Sequence, residues 1–428
     1  MSETREVHQR RTEQAFIDAQ IEFCETVLSL DQLLTTSKLP AIESADAAYR
    51  TKAVMEAIRV GGNDEAIKAW EEESDKTYRE ALPLESEMAR EAALIEWEDW
   101  RRTALADIMK NAIESGHPID SRVNLALRQV KARPKPVDLI QQAILVTLVS
   151  SFESLIGKTY KISLEMKPEL YLSSEREYSL AEIVKAGALE SIINAAVEKK
   201  VDTALRGGLE DWEKIFLKLD VHFKKLCIDW NKTSEVFQRR NALIHTHGAV
   251  NSTYASKVKN APPLGTPLQI DESYLRQAID QITAFGNLVL LRTWLHLRPH
   301  QTFMAAGAPY LYLDDLLDRG YFAAVHKMAD EMKGIKNDLD FKIRLRIYGW
   351  LARKNLLGLE AIKDEVENWD TSALKSEFAF SKAVLLNDCK GAKDLQDAAE
   401  LRGESWASDI PEMPIIRFRA PEATGGNR

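Results

Sequence analysis

Residues 143–157, AILVTLVSSFESLIG, hold one charged side chain, Glu153, in a stretch that is otherwise apolar nearly all round at helical spacing. A helix of that kind is stable only when other elements enclose it. The carboxylate it carries must then be partnered, because an isolated buried charge is very costly. Two arrangements satisfy it: an ion pair with a cation elsewhere in the chain, or a narrow wet stripe shared with Gln142 and Lys158.

The remainder reads as helix after helix, so the expected fold class is all-α. With 45% hydrophobic and 29% charged residues over 428 positions, the chain has globular composition and length for about two or three domains. Two breaks divide it. The first is RPKP at 133–136, a poor helix interior and a plausible linker. Before it, segments such as 46–58 and 85–113 have apolar residues at helical spacing, and Trp70, Trp97 and Trp100 read as seams between long helices. The second break is NAPPLGTPLQ at 260–269. After it, Asp271 is the expected N-cap of a helix running to about Leu297, with Leu275, Ala278, Ile279, Ile282, Phe285, Leu288, Leu291 and Leu295 on its apolar side. From Arg298 the pattern is of helical hairpins, and LLDRGYFAA (316–324) is nearly repeated by LLNDCKGAK (385–393). The expected organisation is an acidic, coiled-coil-like helical region at 1–133, a helical bundle at 137–300 and a helical-hairpin region at 301–428 with a frayed tail.

The amino terminus is charged and has no apolar h-region, and the longest aliphatic run, Ala143–Val149, is short of a membrane span. Cys24, Cys227 and Cys389 lie far apart with no CxxC, which suits a reduced cytoplasmic protein without a zinc site. Charge is unevenly spread. From Val60 to Trp100 there are 13 Asp/Glu against 4 Lys/Arg, which equals the net charge of -9 for the whole chain. From Lys224 to Asn260, seven Lys/Arg (Lys224, Lys225, Lys232, Arg239, Arg240, Lys257, Lys259) face only Asp229 and Glu235. A locally basic surface on an acidic protein can meet a polyanion at one place, although a solvated basic face has the same composition.

That basic region contains RRNALIHTHGAVN, residues 239–251. Lys232–His247 reads as a helix capped by Thr233 or Ser234 and stopped by Gly248. At 100° per residue Val236, Phe237, Leu243 and Ile244 share one side, and Arg240 falls within that sector. A buried guanidinium needs an anion, and the lone Glu153 is the natural partner. Asn241 and His245, four apart, stack on a neighbouring row. Arg240 and His245 lie about 140° apart on an ideal helix, so either the arginine bends or a second copy of the helix contributes. His247 reads as a satisfied core histidine. The His245/His247 pair lacks a third ligand, and His296 and His300 are interrupted by Pro299, so no metal and no cofactor are assigned.

The arrangement of Arg240, Asn241 and His245 resembles the signature of HEPN domains (higher eukaryotes and prokaryotes nucleotide-binding): an arginine, four to six variable residues of which the first is often asparagine, and a histidine. SSFESL, the GGLEDWEKIFLKLDV segment at 207–221 and the helix from about 271 also fit the HEPN layout, so the resemblance covers about residues 137–300. It implies a metal-independent endoribonuclease, commonly a dimer whose two motif helices form one composite site. His245 would move the 2′-OH or 5′-oxygen proton, Arg240 would hold the phosphate, Asn241 would orient phosphate or imidazole, and Glu153 would fix the arginine. Attack by the 2′-OH would leave a 2′,3′-cyclic phosphate and confine the activity to RNA. Arg239, Lys232, Lys257, Lys259 and His247 are the expected RNA contacts. A tyrosine modified in one HEPN subset is replaced here by His247, which excludes that modification.

The expected function is thus a ribonuclease acting as a toxin or abortive-infection effector in prokaryotic antiviral defence, homo-oligomeric through this domain. The flanking helices would supply a regulatory surface for a partner protein, and one version has the acidic segment 60–100 cover the motif as an RNA mimic. The alternatives are a non-catalytic HEPN scaffold that binds RNA, nucleotide or protein, and a purely structural repeat protein.

Overall fold

The computed structural model of the chain describes residues 2–36, 135–167 and 189–407, with isolated positions at 42, 45, 46, 72 and 76. Apart from those positions, the helices expected at 46–58 and 85–113, the acidic stretch 60–100 and its tryptophans, and the tail from 410 lie outside the described residues. The described residues are all-α: they contain no β-strand, only an isolated bridge between Ala249 and Pro267. The helices are α1 (Ser2–Thr36), α2 (Pro136–Met166), α3 (Leu189–Leu205), α4 (Leu209–Phe216), α5 (Phe223–Leu226), α6 (Trp230–Thr246), α7 (Ser252–Lys257) and α8 (Glu272–Leu297), followed by α9 (Thr302–Tyr310), α10 (Leu313–Asp318), α11 (Phe322–Lys333), α12 (Leu339–Leu357), α13 (Lys363–Glu367), α14 (Ser376–Leu385) and α15 (Cys389–Leu401).

The chain groups into two compact units, residues 1–35 with 142–428 and residues 36–141. One division falls at 141/142, a few residues after the expected 133–137, but no division falls at 300, and residues 1–35 and the C-terminal hairpins belong with the bundle. Apart from the first turns of α2, all that follows concerns the first unit. Pro136 opens α2 rather than sitting in a linker, since proline at the first helical position loses no hydrogen bond.

Helix α8 is the axis. Its start matches the sequence expectation, with Asp271 Oδ1 accepting from Tyr274 N at 2.7 Å. Its burial does not: eleven consecutive residues, Gln281–Leu291, are buried, so the helix is enclosed on every side. The polar groups within that stretch are paired. Thr283 Oγ1 donates to the Ile279 carbonyl at 2.6 Å, and Asn287 Oδ1 accepts from Gln20 Nε2 at 2.7 Å. The second bond fixes α1 against α8. At Gly286 the two helices come so close that a Cβ would stand 2.6 Å from the Phe23 ring.

Five helices meet at Phe152 of α2. It stacks on Phe285 of α8 at 4.8 Å and meets Phe237 of α6 edge-on at 5.4 Å, with Trp212 of α4 at 6.2 Å and Phe23 of α1 at 6.4 Å. Such pairs add about 0.5–1.5 kcal/mol each beyond area burial. By length and composition α2 alone among the described helices could cross a membrane. Its residues Leu145, Leu148, Val149 and Phe152 are fully buried, as the core helix of a bundle requires.

The C-terminal hairpins dock on the same axis. Asp280 of α8 accepts from Ala324 N at 2.7 Å at the start of α11, and buried Asp31 of α1 pairs with Arg319 at 2.6 Å. The joints after α10 and α14 share one geometry. Gly320 and Asn387 are left-handed, and the next residue donates back across the turn, Tyr321 N to Leu316 O and Asp388 N to Ala383 O. The structural correspondence is Gly320 with Asn387, two residues out of step with the sequence match.

Gly286→Val should lower stability by about 2–3 kcal/mol through overpacking against Phe23, read by chemical denaturation. Burial raises the Asp280 carboxyl to about 6, against the stabilising pull of the α11 amides. The folded form therefore holds its proton more tightly than the unfolded one, and stability falls as pH rises from about 4 to 6. Asp280→Asn keeps an acceptor for Ala324 and should flatten this part of the stability–pH profile.

Candidate functional site

Helix α6 starts earlier than the sequence suggested. Its cap is Asp229, whose Oδ1 accepts from Asn231 N at 2.9 Å and Lys232 N at 3.2 Å, while Thr233 is wholly buried. Gln281 Oε1 of α8 accepts from Asp229 N at 3.1 Å, which fixes the start of α6 on the axis. At the other end His247, with φ 52°, is the left-handed cap and Gly248 follows at 78°. His247 is exposed, so it is not the core histidine expected; the sharp turn carries it out to solvent. The loop 260–269 folds back here, with Leu268 N donating to Gly248 O at 2.7 Å.

The rotation of α6 is set by Glu235. Its Oε1 accepts from Arg239 Nε and from Tyr254 OH, both at 2.6 Å, and its Oε2 accepts from Tyr274 OH at 2.8 Å. The Arg239 guanidinium lies 3.9 Å over the Tyr274 ring and donates to the Gln269 carbonyl. Burial, then the Glu235 charge, push the Tyr274 phenol well above its usual range, so it stays a donor. Arg239 is accordingly occupied in joining α6, α7 and α8, and the role in RNA contact expected for it is replaced by a structural one.

Arg240 points the other way. Its Nη2 donates to Glu153 of α2, which makes the ion pair anticipated from the two lone charges; Lys158 pairs with Glu22 of α1 instead of sharing a stripe with Glu153. The pair is half-buried, with side-chain exposure of 15% for Arg240 and 28% for Glu153. Arg240 Nε is buried without a partner, and burial pushes the guanidinium below its ordinary value. The apolar sector assigned to this helix is narrower than expected. Val236 and Phe237 are buried, but Ile244 is 50% exposed because the core ends before the last turn of α6.

Glu153, Arg240, Asn241 and His245 line one cavity of about 550 Å³. Its α6 wall is the row Ser234, Gln238, Asn241 and His245, spaced i, i+4, i+7, i+11 and so on one face. Arg240 reaches the same space from the flank. The 140° separation is spanned within one copy by the length of the arginine and the width of the cavity. Trp212 and Phe237, both buried, also border it, Arg206 to Gly208 come from the turn between α3 and α4, and Thr253 and Lys257 from α7. Lys232, Lys259 and His247 are exposed and do not line it. Sequence reasoning missed Arg206, Ser234, Gln238 and Thr253; the polar spacing along α6 was the available signal for two of them.

Among the described residues, no group of three or more His, Cys, Asp or Glu could hold a metal ion. Burial pushes the Cys24 and Cys227 thiols up to about 12, so neither is a thiolate near neutrality. In comparisons with known proteins, no family model, curated protein or solved structure matches this chain.

Glu235→Ala would leave two phenols and a guanidinium without their acceptor and should cost about 2–4 kcal/mol. In a double-mutant cycle with Arg239→Ala the losses should fall short of additive, because both substitutions open the same network.

Proposed function

We propose that the chain is a HEPN-type, metal-independent endoribonuclease whose cavity between α2, α4, α6 and α7 is the active site. The observation that carries this reading is the convergence of Glu153, Arg240, Asn241 and His245 on one solvent-accessible recess. A phosphodiester placed there would meet the Arg240 guanidinium, held against Glu153, as a fixed positive charge for the phosphate oxygens. His245 is exposed to the recess with no intramolecular hydrogen bond among the described residues, so its ring nitrogens are available to the ribose 2′-OH or to the leaving 5′-oxygen. Asn241, one turn before it, supplies an amide that can orient either group. Cleavage by the 2′-OH releases a 2′,3′-cyclic phosphate and requires ribose at the scissile position.

On this reading the protein acts on RNA in the cell, paired with itself through the same domain, as a toxin or abortive-infection effector of antiviral defence. The flanking helices are the surface for a regulatory partner. One observation favours the non-catalytic alternative: Arg240 already has its counter-ion, as a purely structural ion pair would.

His245→Ala should lower RNA cleavage about 10²–10⁴-fold with unchanged helicity and oligomeric state, and cleavage by the native protein should persist in EDTA. RNA cutting at an unaltered rate in the alanine variant would defeat the assignment. A native protein that binds RNA and never cuts it would leave the scaffold reading in place.

A further inference from the structure

The cavity is larger than one phosphate and one ribose require, and its remaining side chains have a consistent chemistry. Arg206, at the turn after α3, and Lys257, at the end of α7, both line it, on elements separate from the one that carries Arg240. Both are exposed, and neither has an ion pair or hydrogen bond among the described residues. This distinguishes them from the other two cations of the region. Arg239 is held by Glu235 and Tyr274, and Arg240 by Glu153. Glu210 is the one further carboxylate lining the recess; Asp211 beside it is held by Lys214 at 3.0 Å and by the Gly208 amide at 3.3 Å. Ser234, Gln238, Asn241 and His245 likewise make no side-chain hydrogen bond within the described residues. The recess therefore presents unspent donors along a whole helix face, with a cation free of hydrogen bonds and close ion pairs on each of two bordering elements, Lys257 lying near enough to Asp211 to help hold its carboxyl below the usual range.

We propose that Arg206 and Lys257 anchor the phosphates flanking the scissile link, so that the cavity takes an extended single strand of RNA rather than a lone nucleotide. The proposal rests on the ribonuclease reading given above and adds its substrate form. A cation outside the cleavage centre has nothing to bind on a substrate with one phosphate, but on a chain it can neutralise a neighbouring phosphate. The bases of a single strand are unpaired and can turn their edges to the polar row of α6, whereas in a duplex those edges are already paired. Lys257 and Arg206 act here as positioning residues: they hold the strand and leave the proton transfers to the α6 row.

The test uses the full chain and a short fluorescein-labelled 2′-O-methyl oligoribonucleotide, which lacks the nucleophile and is not consumed. Its affinity is measured by fluorescence anisotropy over a salt series for the native protein, for Arg206→Gln/Lys257→Gln, and for Lys336→Gln/Lys390→Gln, which removes the same charge from exposed positions outside the cavity. The cavity pair should weaken binding at least 10-fold at low salt and reduce the slope of log K against log[salt] by about 1.4, at about 0.7 for each single-strand phosphate left without its cation. The surface pair should leave the slope unaltered, and the same sequence annealed into a duplex should bind at least 10-fold more weakly than the single strand. An unchanged slope in the cavity variant, an equal weakening in the surface variant, equal duplex affinity or no binding by the native protein would each overturn the proposal. Binding with the expected slopes, but no cleavage of the unmethylated strand, would instead overturn the ribonuclease reading and leave the strand-binding groove standing.

Discussion

A carboxylate and a guanidinium, each alone among apolar neighbours, meet between α2 and α6, and the relative placement of those helices depends on that meeting. Neither charge can be left in a half-buried setting by itself, since breaking such a pair costs about 3–5 kcal/mol when the partner is fully buried and a fraction of that here. The pair is geometrically inseparable from the packing beside it. Glu153 follows Phe152, the ring on which five helices converge, and Arg240 lies three residues after Phe237, which meets that ring edge-on. The aromatic contacts fix distance, and the ion pair fixes rotation and sliding. Together they leave one arrangement in which both are satisfied.

The two consecutive arginines show how a single helix separates structure from chemistry. Being adjacent, Arg239 and Arg240 diverge by about 100°, so they cannot serve the same partner. Arg239 is consumed by a carboxylate, a carbonyl and a phenol ring on the side facing α7 and α8. Arg240 is turned toward α2. Between these two fixed sides the helix has one face left, and that face carries Ser234, Gln238, Asn241 and His245. The exposure of the polar row is thus a consequence of how its neighbours are tied down.

Features governed by local chemistry were legible in the sequence. The Asp271 cap and the end of α8 near Leu297 follow from one side chain and a periodic pattern, and the structure has both. The pairing of Glu153 with Arg240 was legible because desolvation makes a lone charge demand a partner, whatever the fold. Features decided by tertiary surroundings were not. The start of α6 moved to Asp229 because Thr233, a sound cap by type, is drawn into the core beside Gln281. Arg239 could not be distinguished from a surface cation without the two tyrosines that reach Glu235 from 19 and 39 residues further along. The docking of α1 on α8 depends on Gly286, whose missing side chain admits Phe23, and a glycine inside a helical pattern gives no direction to its neighbour. The all-round burial of α8 was hidden for a related reason: the periodic pattern marks one apolar side, and the polar Thr283 and Asn287 are buried only because bonds inside the core satisfy them.

The geometry of α6 also bears on whether one copy of the chain suffices for a site. On an ideal helix Arg240 and His245 face apart, and a second helix supplied by symmetry is one way to bring such groups together. Here a single copy already places both at one recess, since the arginine leans toward α2 and the recess extends around the helix to His245. Convergence therefore does not require a partner. What a partner could add is confined to the end of α6, where Ile244 and His245 are both exposed beyond the limit of the core. An apolar and a titratable side chain at the rim of a recess would be covered together if two copies met there, so pairing would change the solvation of His245 more than the position of Arg240. The Arg240 side of the recess is thus built into the monomer fold, while the His245 side lies at a surface whose polarity assembly would alter.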